Sequence, residues 1–139
     1  MNGYFIRPSR VTPSIYFDPK KGIFDMRGKS NPENPNAFYD YVLKSLDAYA
    51  ELDGDSTMTT NLAFEYYNTS SSKYLYMFMQ KLAMIDGMGK KVTVNWFFEQ
   101  GDEDMREAGE ELEGFFDMRF NIKEVSKINA VKATQIAAA

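Results

Sequence analysis

The strongest constraint on the fold is the alternation of strand-like and helix-like segments along the middle of the chain. From Thr59 to Tyr67, and again from Val92 to Phe98, apolar and polar positions alternate, which is the period of a β-strand. The segment between them has apolar residues at helical spacing. A strand, a single helix and another strand in this order predict parallel pairing with a right-handed crossover.

The flanking segments extend this unit on both sides. Ser14 to Asp18 and Gly22 to Arg27 are short β-type runs that a Pro-Lys-Lys-Gly turn joins into a hairpin. A helix is predicted from Pro35 to about Glu51, and another within the acidic stretch from Glu99 to Glu113. A short edge strand is predicted from Phe120 to Glu124.

The predicted order of elements is therefore β-β-α-β-α-β-α-β. Because the strands carry polar residues at every second position, one face of the sheet should be less covered than the other. The predicted fold class is α/β, a STAS-like single domain with a short mixed β-sheet and helices mainly on one face. It should span residues 1–125, and the tail, 126–139, is expected to be mobile or weakly helical.

Composition excludes much ordinary enzyme chemistry. The 139 residues include no Cys and no His, which removes thiolate nucleophiles, Cys-based zinc sites and the usual near-neutral general base. What remains is carboxylate acid/base chemistry or a carboxylate–Mg²⁺ site, and we expect neither a cofactor nor a metal. With a net charge of −4 and no Lys/Arg-rich block, nucleic acid is not an expected partner. No apolar stretch approaches about 18 residues and no signal peptide is evident, so we expect a cytoplasmic protein without membrane insertion.

The hydroxyl run Thr69-Ser70-Ser71-Ser72 is the most informative stretch for function. It stands where a strand gives way to a helix, and a helix N-terminus has unpaired N–H groups and a partial positive charge. A Ser or Thr there can cap the helix, and a phosphate there is electrostatically favoured. The residues alone leave both interpretations open, a helix cap or a phosphorylation switch.

The helix that follows has another face that is unusually apolar for a solvated surface. Met residues at helical spacing on this face predict either an adaptable binding surface or a surface that other parts of the chain cover. Together with the hydroxyl run, this face gives the predicted partner interface: Asn68, Ser70, Ser71, Lys73, Tyr74, Met77, Lys81 and Met84.

The acidic cluster Asp102-Glu103-Asp104 has two interpretations as well. Carboxylates can bind Mg²⁺, but such runs commonly form the solvated start of a helix. A carboxylate- or Mg²⁺-dependent hydrolase is therefore kept as an alternative function.

Five segments in a fixed order carry a family resemblance. They are Thr12-Pro13, Gly28 to Asn34, Tyr67 to Lys73, Val94 to Phe98 and Asp102 to Glu110. The segment from Gly28 to Asn34 is similar to a G-x-S-x-P-E-N element, and the segment from Tyr67 to Lys73 is similar to a Y-x-N-T-S-S-x-K element. Together the five segments resemble the SiaC family of bacterial regulatory phosphoproteins.

This resemblance implies a STAS-like fold, no catalytic activity and partner switching. In the family, a cognate Ser/Thr kinase phosphorylates the threonine of the N-T-S-S element and a PP2C-type phosphatase removes the phosphate. The unphosphorylated form binds and activates a diguanylate cyclase, which raises cyclic di-GMP and promotes biofilm formation. The corresponding threonine in this chain is Thr69. An anti-sigma-factor antagonist that binds a switch kinase is the alternative function within the same fold.

Overall fold

Six strands form one mixed sheet in the computed structural model, which describes residues 1–128. They lie side by side in chain order. The first three pair antiparallel, and the third to the sixth pair in parallel. The strands are β1 (Tyr4–Ile6), β2 (Ser14–Asp18), β3 (Ile23–Ser30), β4 (Thr57–Tyr67), β5 (Lys91–Glu99) and β6 (Arg119–Val125).

Three helices connect the parallel strands, α1 (Pro35–Ala50), α2 (Thr69–Gly87) and α3 (Glu103–Phe115). Each crossover leads to the next strand in the same direction along the sheet, so right-handed connections place all three helices on one face. Within the described part of the chain, no helix is both long and apolar enough to cross a membrane. The predicted α/β class, with a short mixed sheet and helices on one face, is confirmed.

The prediction missed the edge strand β1. Its three residues, Tyr4–Ile6, are all apolar and show no alternation, and they become a strand only by pairing with β2. At the other end, Ile128 is fully buried with Ala63 and Phe97, three residues beyond the predicted end of the domain. The rest of the predicted tail, 129–139, lies outside the described residues.

Helix α1 buries a broader face than its apolar spacing predicts, which places Phe38, Val42, Leu46 and Tyr49 on the buried side. Val42, Leu46 and Tyr49 are buried as predicted, whereas Phe38 is only half-buried. Its neighbour Tyr39 is fully buried instead and faces α2. Helix α1 therefore packs against both the sheet and α2.

Helix α3 rests on the single tryptophan of the chain. Trp96 is fully buried, and its indole Nε1 donates a hydrogen bond to the carbonyl oxygen of Met105 at 2.9 Å. Gly109 lies directly over the indole ring, where a Cβ atom would stand 2.4 Å from Trp96 Cδ1. The close approach of α3 to β5 therefore requires a residue without a side chain at this position.

We predict that Gly109→Ala destabilises the fold by about 1–3 kcal/mol, because the added methyl group overpacks the contact with the buried Trp96. Gly114→Ala in the same helix is the matched control, since a Cβ there meets no atom within 4 Å. Its higher helix propensity should stabilise α3 by about 0.5–1 kcal/mol. Urea denaturation followed by circular dichroism measures both, and equal effects of the two substitutions would contradict this account of the packing.

A ladder of largely buried polar side chains crosses the face of the sheet opposite to the helices. Asp25, Asn61, Asn95 and Asn121 stand at matching positions of four adjacent strands. Each Asn Nδ2 donates to the preceding member of the ladder, at 2.7, 2.9 and 3.0 Å. A slip of one strand by one residue would break the bonds of its own ladder side chain, so the ladder helps to fix the strand register.

Asp25 ends this ladder as a buried carboxyl group. Its Oδ1 accepts from Asn61, while its Oδ2 is buried without a hydrogen-bond partner among the described residues. Burial raises the pKa of Asp25, and its hydrogen bond from Asn61 and the charge of Arg27 offset only part of that effect. The ionised form of Asp25 therefore costs stability at neutral pH.

We predict that Asp25→Asn is at least as stable as the wild type at pH 7, because the substitution keeps a carbonyl acceptor for Asn61 and removes the buried charge. A raised folded-state pKa means that the folded wild type binds a proton more readily than the unfolded chain. Relative to the variant, the wild type should therefore gain stability as the pH falls through that pKa. Denaturation series between pH 7 and pH 4 check this, and a relative loss in acid would show that the pKa is lowered instead.

Candidate phosphorylation site and partner surface

The junction between β4 and α2 is held by the side chain and backbone of Asn68. Its Oδ1 accepts from the backbone N–H of Ser71 at 2.8 Å and so caps α2. Its backbone N–H donates to the carbonyl oxygen of Ser30 at 3.0 Å, and its Nδ2 donates to Asn31 Oδ1 at 2.6 Å. The first turn of α2 is thereby attached to the end of β3 and to the residue after it.

The N-cap of α2 is Asn68 and not one of the hydroxyl residues. The sequence suggested that a Ser or Thr of the run caps the helix. Strand β4 ends at Tyr67 and α2 begins two residues later, at Thr69, so that Asn68 between them occupies the N-cap position. Asn is as effective a cap as Ser, and the hydroxyls are left free for other roles.

The four hydroxyl residues have different environments. Thr69, the first residue of α2, is exposed, and so is Ser70. Ser71 is fully buried, and its hydroxyl is hydrogen-bonded to both the hydroxyl and the carbonyl oxygen of Ser30, at 2.8 and 3.1 Å. The hydroxyl of Ser72 donates to the carbonyl oxygen of Thr69 at 2.6 Å. Thr69 is thus presented to solvent at the start of the helix.

One residue of the predicted interface, Ser71, is buried rather than exposed. A side chain with 0% exposure cannot contact a partner protein in this conformation. Its hydroxyl instead belongs to an internal network in which the Ser30 hydroxyl also bonds the Tyr39 hydroxyl at 2.5 Å. Burial raises the pKa of Tyr39, whose ring stacks on Tyr74 with 5.4 Å between ring centroids. This network joins the first turns of α1 and α2.

The Met-bearing face of α2 is partly covered by α1. Besides the Tyr74 stacking contact, Met77 is half-buried against the core, and Lys81 forms an ion pair with Asp47 of α1 at 2.7 Å. Further along the helix, Met84 is 49% exposed and Met88 57%. Both interpretations of this face therefore apply. Helix α1 covers the part near Thr69, and the part near the C-terminal end of α2 is an exposed apolar surface.

A groove on the other side of α2 was not predicted. It encloses about 400 Å³ between α2 and α3, with Tyr67 in its wall and Lys73 at the end nearest Thr69. Tyr76 and Phe115 are 40% and 61% exposed, and their rings meet edge to face at 6.1 Å. We call this the α2–α3 groove. The groove depends on how two helices pack on the sheet. Its one signal in the sequence is the aromatic pair Phe115-Phe116 at the end of the acidic helix.

The groove has an acidic side. Glu111 lines it, and burial together with the Glu111 charge raises the pKa of Tyr67. A smaller hollow of about 320 Å³ adjoins it at Tyr67 and includes Asp102 and Asp104. The α2–α3 groove is therefore a largely apolar surface with carboxylates along one side and the cationic Lys73 among its lining residues.

The acidic cluster at the start of α3 has a structural role. Asp102 caps the helix by accepting from the backbone N–H of Met105 at 3.1 Å. Glu103 forms an ion pair with Arg106. Among residues 1–128, no group of three or more Asp, Glu, His or Cys residues is arranged to hold a metal ion.

The fold and this site define a class of protein, a small α/β domain with an exposed threonine at the first residue of a helix. The family model described as "SiaC family regulatory phosphoprotein" matches residues 6–125. The chain therefore belongs to the SiaC family, which confirms the resemblance carried by its sequence elements.

Similar proteins have been found in Pseudomonas aeruginosa. An uncharacterized protein of strain UCBPP-PA14 is 28% identical over 112 residues, which cover 81% of this chain and 88% of the relative. The crystal structure of apo-SiaC matches with a TM-score of 0.80 and 26% identity, over 88% of this chain and 99% of that one. A further match, with a TM-score of 0.82, 26% identity and the same coverages, is the crystal structure of diguanylate cyclase SiaD in complex with its activator SiaC.

We predict that Asn68→Ala destabilises the protein by about 1–2 kcal/mol, because it removes the cap of α2 and the bond to Asn31. Thr69→Ala should change stability by no more than about 0.5 kcal/mol, since the side chain is exposed. Urea denaturation of the two variants measures the difference. A large loss for Thr69→Ala would mean that the threonine itself holds the junction.

Proposed function

We propose that this protein is a non-enzymatic, phosphorylation-controlled activator of a diguanylate cyclase in the bacterial cytoplasm. The unphosphorylated form binds the cyclase and raises cyclic di-GMP. A cognate Ser/Thr kinase phosphorylates Thr69, and a PP2C-type phosphatase restores the active form. Membership of the SiaC family and the solved complex of a SiaC with the cyclase SiaD support this proposal. They favour a cyclase over the anti-sigma-factor kinase that the sequence also allowed.

The observation that carries the proposal is the position of Thr69. It is exposed at the first residue of α2, one turn before Lys73, which lines the α2–α3 groove. A phosphate would add about −1.5 to −2 charges there. In the free protein, the helix N-terminus and solvent tolerate that charge. In a desolvated interface, an unpaired charge costs several kcal/mol, which is enough to release a partner.

The surface around Thr69 is suited to a partner that is apolar with basic residues at its border. The exposed Ser70 and Lys73 lie beside Thr69, and the exposed aromatic rings of Tyr76 and Phe115 lie along the groove. The acidic border would attract Lys or Arg of the partner and would repel a phosphate. The remaining exposed or half-buried members of the predicted interface, Asn68, Tyr74, Met77, Lys81 and Met84, stay part of the proposal.

We predict that Thr69→Asp lowers both cyclase binding and cyclic di-GMP synthesis by about tenfold or more, while Thr69→Ala retains both. The reason is the introduced charge rather than the lost hydroxyl. Isothermal titration calorimetry with the cyclase encoded nearby, and a cyclic di-GMP assay on the same mixtures, provide the measurement.

The matched control is Thr57→Asp, the same change at an exposed threonine at the opposite end of the sheet, where β4 begins. It should bind the cyclase as the wild type does. Equal binding by Thr69→Asp and Thr69→Ala would refute the switch, and equal losses in Thr69→Asp and Thr57→Asp would show that net charge alone is responsible.

A further inference from the structure

Asn68, the residue before Thr69, has all of its backbone and side-chain polar groups in hydrogen bonds. Asn68 uses its Oδ1 for the Ser71 N–H and its carbonyl oxygen for the Ser72 N–H, at 2.8 and 3.1 Å. Both are contacts within α2. Its backbone N–H and its Nδ2 instead donate to Ser30 and Asn31, which lie at the end of β3 and directly after it. A separate segment of the chain thus determines how Asn68 is oriented.

The same segment, through Ser30, gives the Ser71 hydroxyl a different environment from the other hydroxyls of the run. Ser30 holds the hydroxyl of Ser71 in the interior, through its own hydroxyl and its carbonyl oxygen. The Ser72 hydroxyl is turned back onto the carbonyl oxygen of Thr69. These bonds require an intact first turn of α2, and that turn begins at the anchored Asn68.

We propose that Ser30 and Asn31 are positioning residues of the phosphorylation site, which select Thr69 as the acceptor over Ser71 and Ser72, whose hydroxyls are held in hydrogen bonds. The inference rests on the proposed function, because it takes Thr69 as the phosphorylated residue. The kinase reads the first residue of a formed helix, and the segment after β3 holds that helix start in place. When this support is lost, the first turn opens and the hydroxyls of Ser71 and Ser72 compete for the phosphate.

Asn31 is the better of the two residues to test. It is exposed, and its hydrogen bond to Asn68 at 2.6 Å is made by its side chain alone, so its removal leaves the core intact. Ser30 is fully buried and also bonds Tyr39, so its replacement would disturb packing as well. Asn31→Asp retains the Oδ1 that accepts from Asn68 and is the conservative rescue variant.

The experiment treats the full chain with the kinase that modifies the wild type and maps the phosphate by peptide mass spectrometry. The measured quantity is the ratio of phosphothreonine at 69 to phosphoserine at 71 and 72. We expect a single phosphothreonine in the wild type, and a ratio lowered by about tenfold or more in Asn31→Ala. Asn31→Asp should keep the wild-type ratio. Asn36→Ala, at an exposed asparagine of α1, is the matched control and should not change the ratio.

Melting temperatures of the same samples distinguish positioning from folding. Asn31→Ala should melt within a few degrees of the wild type, because one exposed hydrogen bond contributes only about 1 kcal/mol. A wild-type ratio in Asn31→Ala would overturn the inference while Thr69 phosphorylation stands. A loss of selectivity shared by Asn36→Ala would overturn it as well. Absence of phosphate from Thr69 in the wild type would instead overturn the proposed function, and this inference with it.

Discussion

The hydrogen bonds of Asn68 are the interaction on which the functional part of this structure depends. They join the end of β3, the end of β4 and the start of α2 in one arrangement. Because of this arrangement, Thr69 faces solvent while Ser71, two residues further, is sealed in the interior. The hydroxyls of one run thereby have different environments, since those of Ser71 and Ser72 are hydrogen-bonded while Thr69 and Ser70 are exposed. The helix cap and the phosphorylation switch, which the sequence offered as alternatives, do not exclude each other, since Asn68 caps α2 and the adjacent Thr69 is the proposed phosphorylation site.

The arrangement of the sheet explains where a partner can bind. All three helices cover one face, and the opposite face carries the hydrogen-bonded ladder that begins at Asp25. The α2–α3 groove lies in the helix layer, and Tyr67, the last residue of β4, is one of its lining residues. Thr69 stands at the same end of β4. The proposed switch therefore needs no long-range coupling, since the phosphate is added beside the surface that it controls.

Most of the fold was predictable because its signals are local. Alternation marked β4 and β5, and the Asn-Pro pair before α1 and the acidic residues before α3 marked helix starts. Strand β1 was not predictable, since three apolar residues carry no period and depend on β2 for pairing. The groove was missed for a similar reason, because it depends on how α2 and α3 pack beside each other on the sheet and on no local pattern. Thr69 was identified from its motif, whereas its exposure and the burial of Ser71 required the structure.

The central claim is that a phosphate on Thr69 switches off binding of the cyclase. The most direct measurement compares unmodified protein with protein carrying phosphothreonine at position 69, prepared to a single site and titrated into the cyclase by calorimetry. The account predicts binding by the unmodified form and an affinity reduced by at least about tenfold for the phosphorylated form, a loss of ~1.4 kcal/mol or more. Equal affinities of the two forms would contradict it.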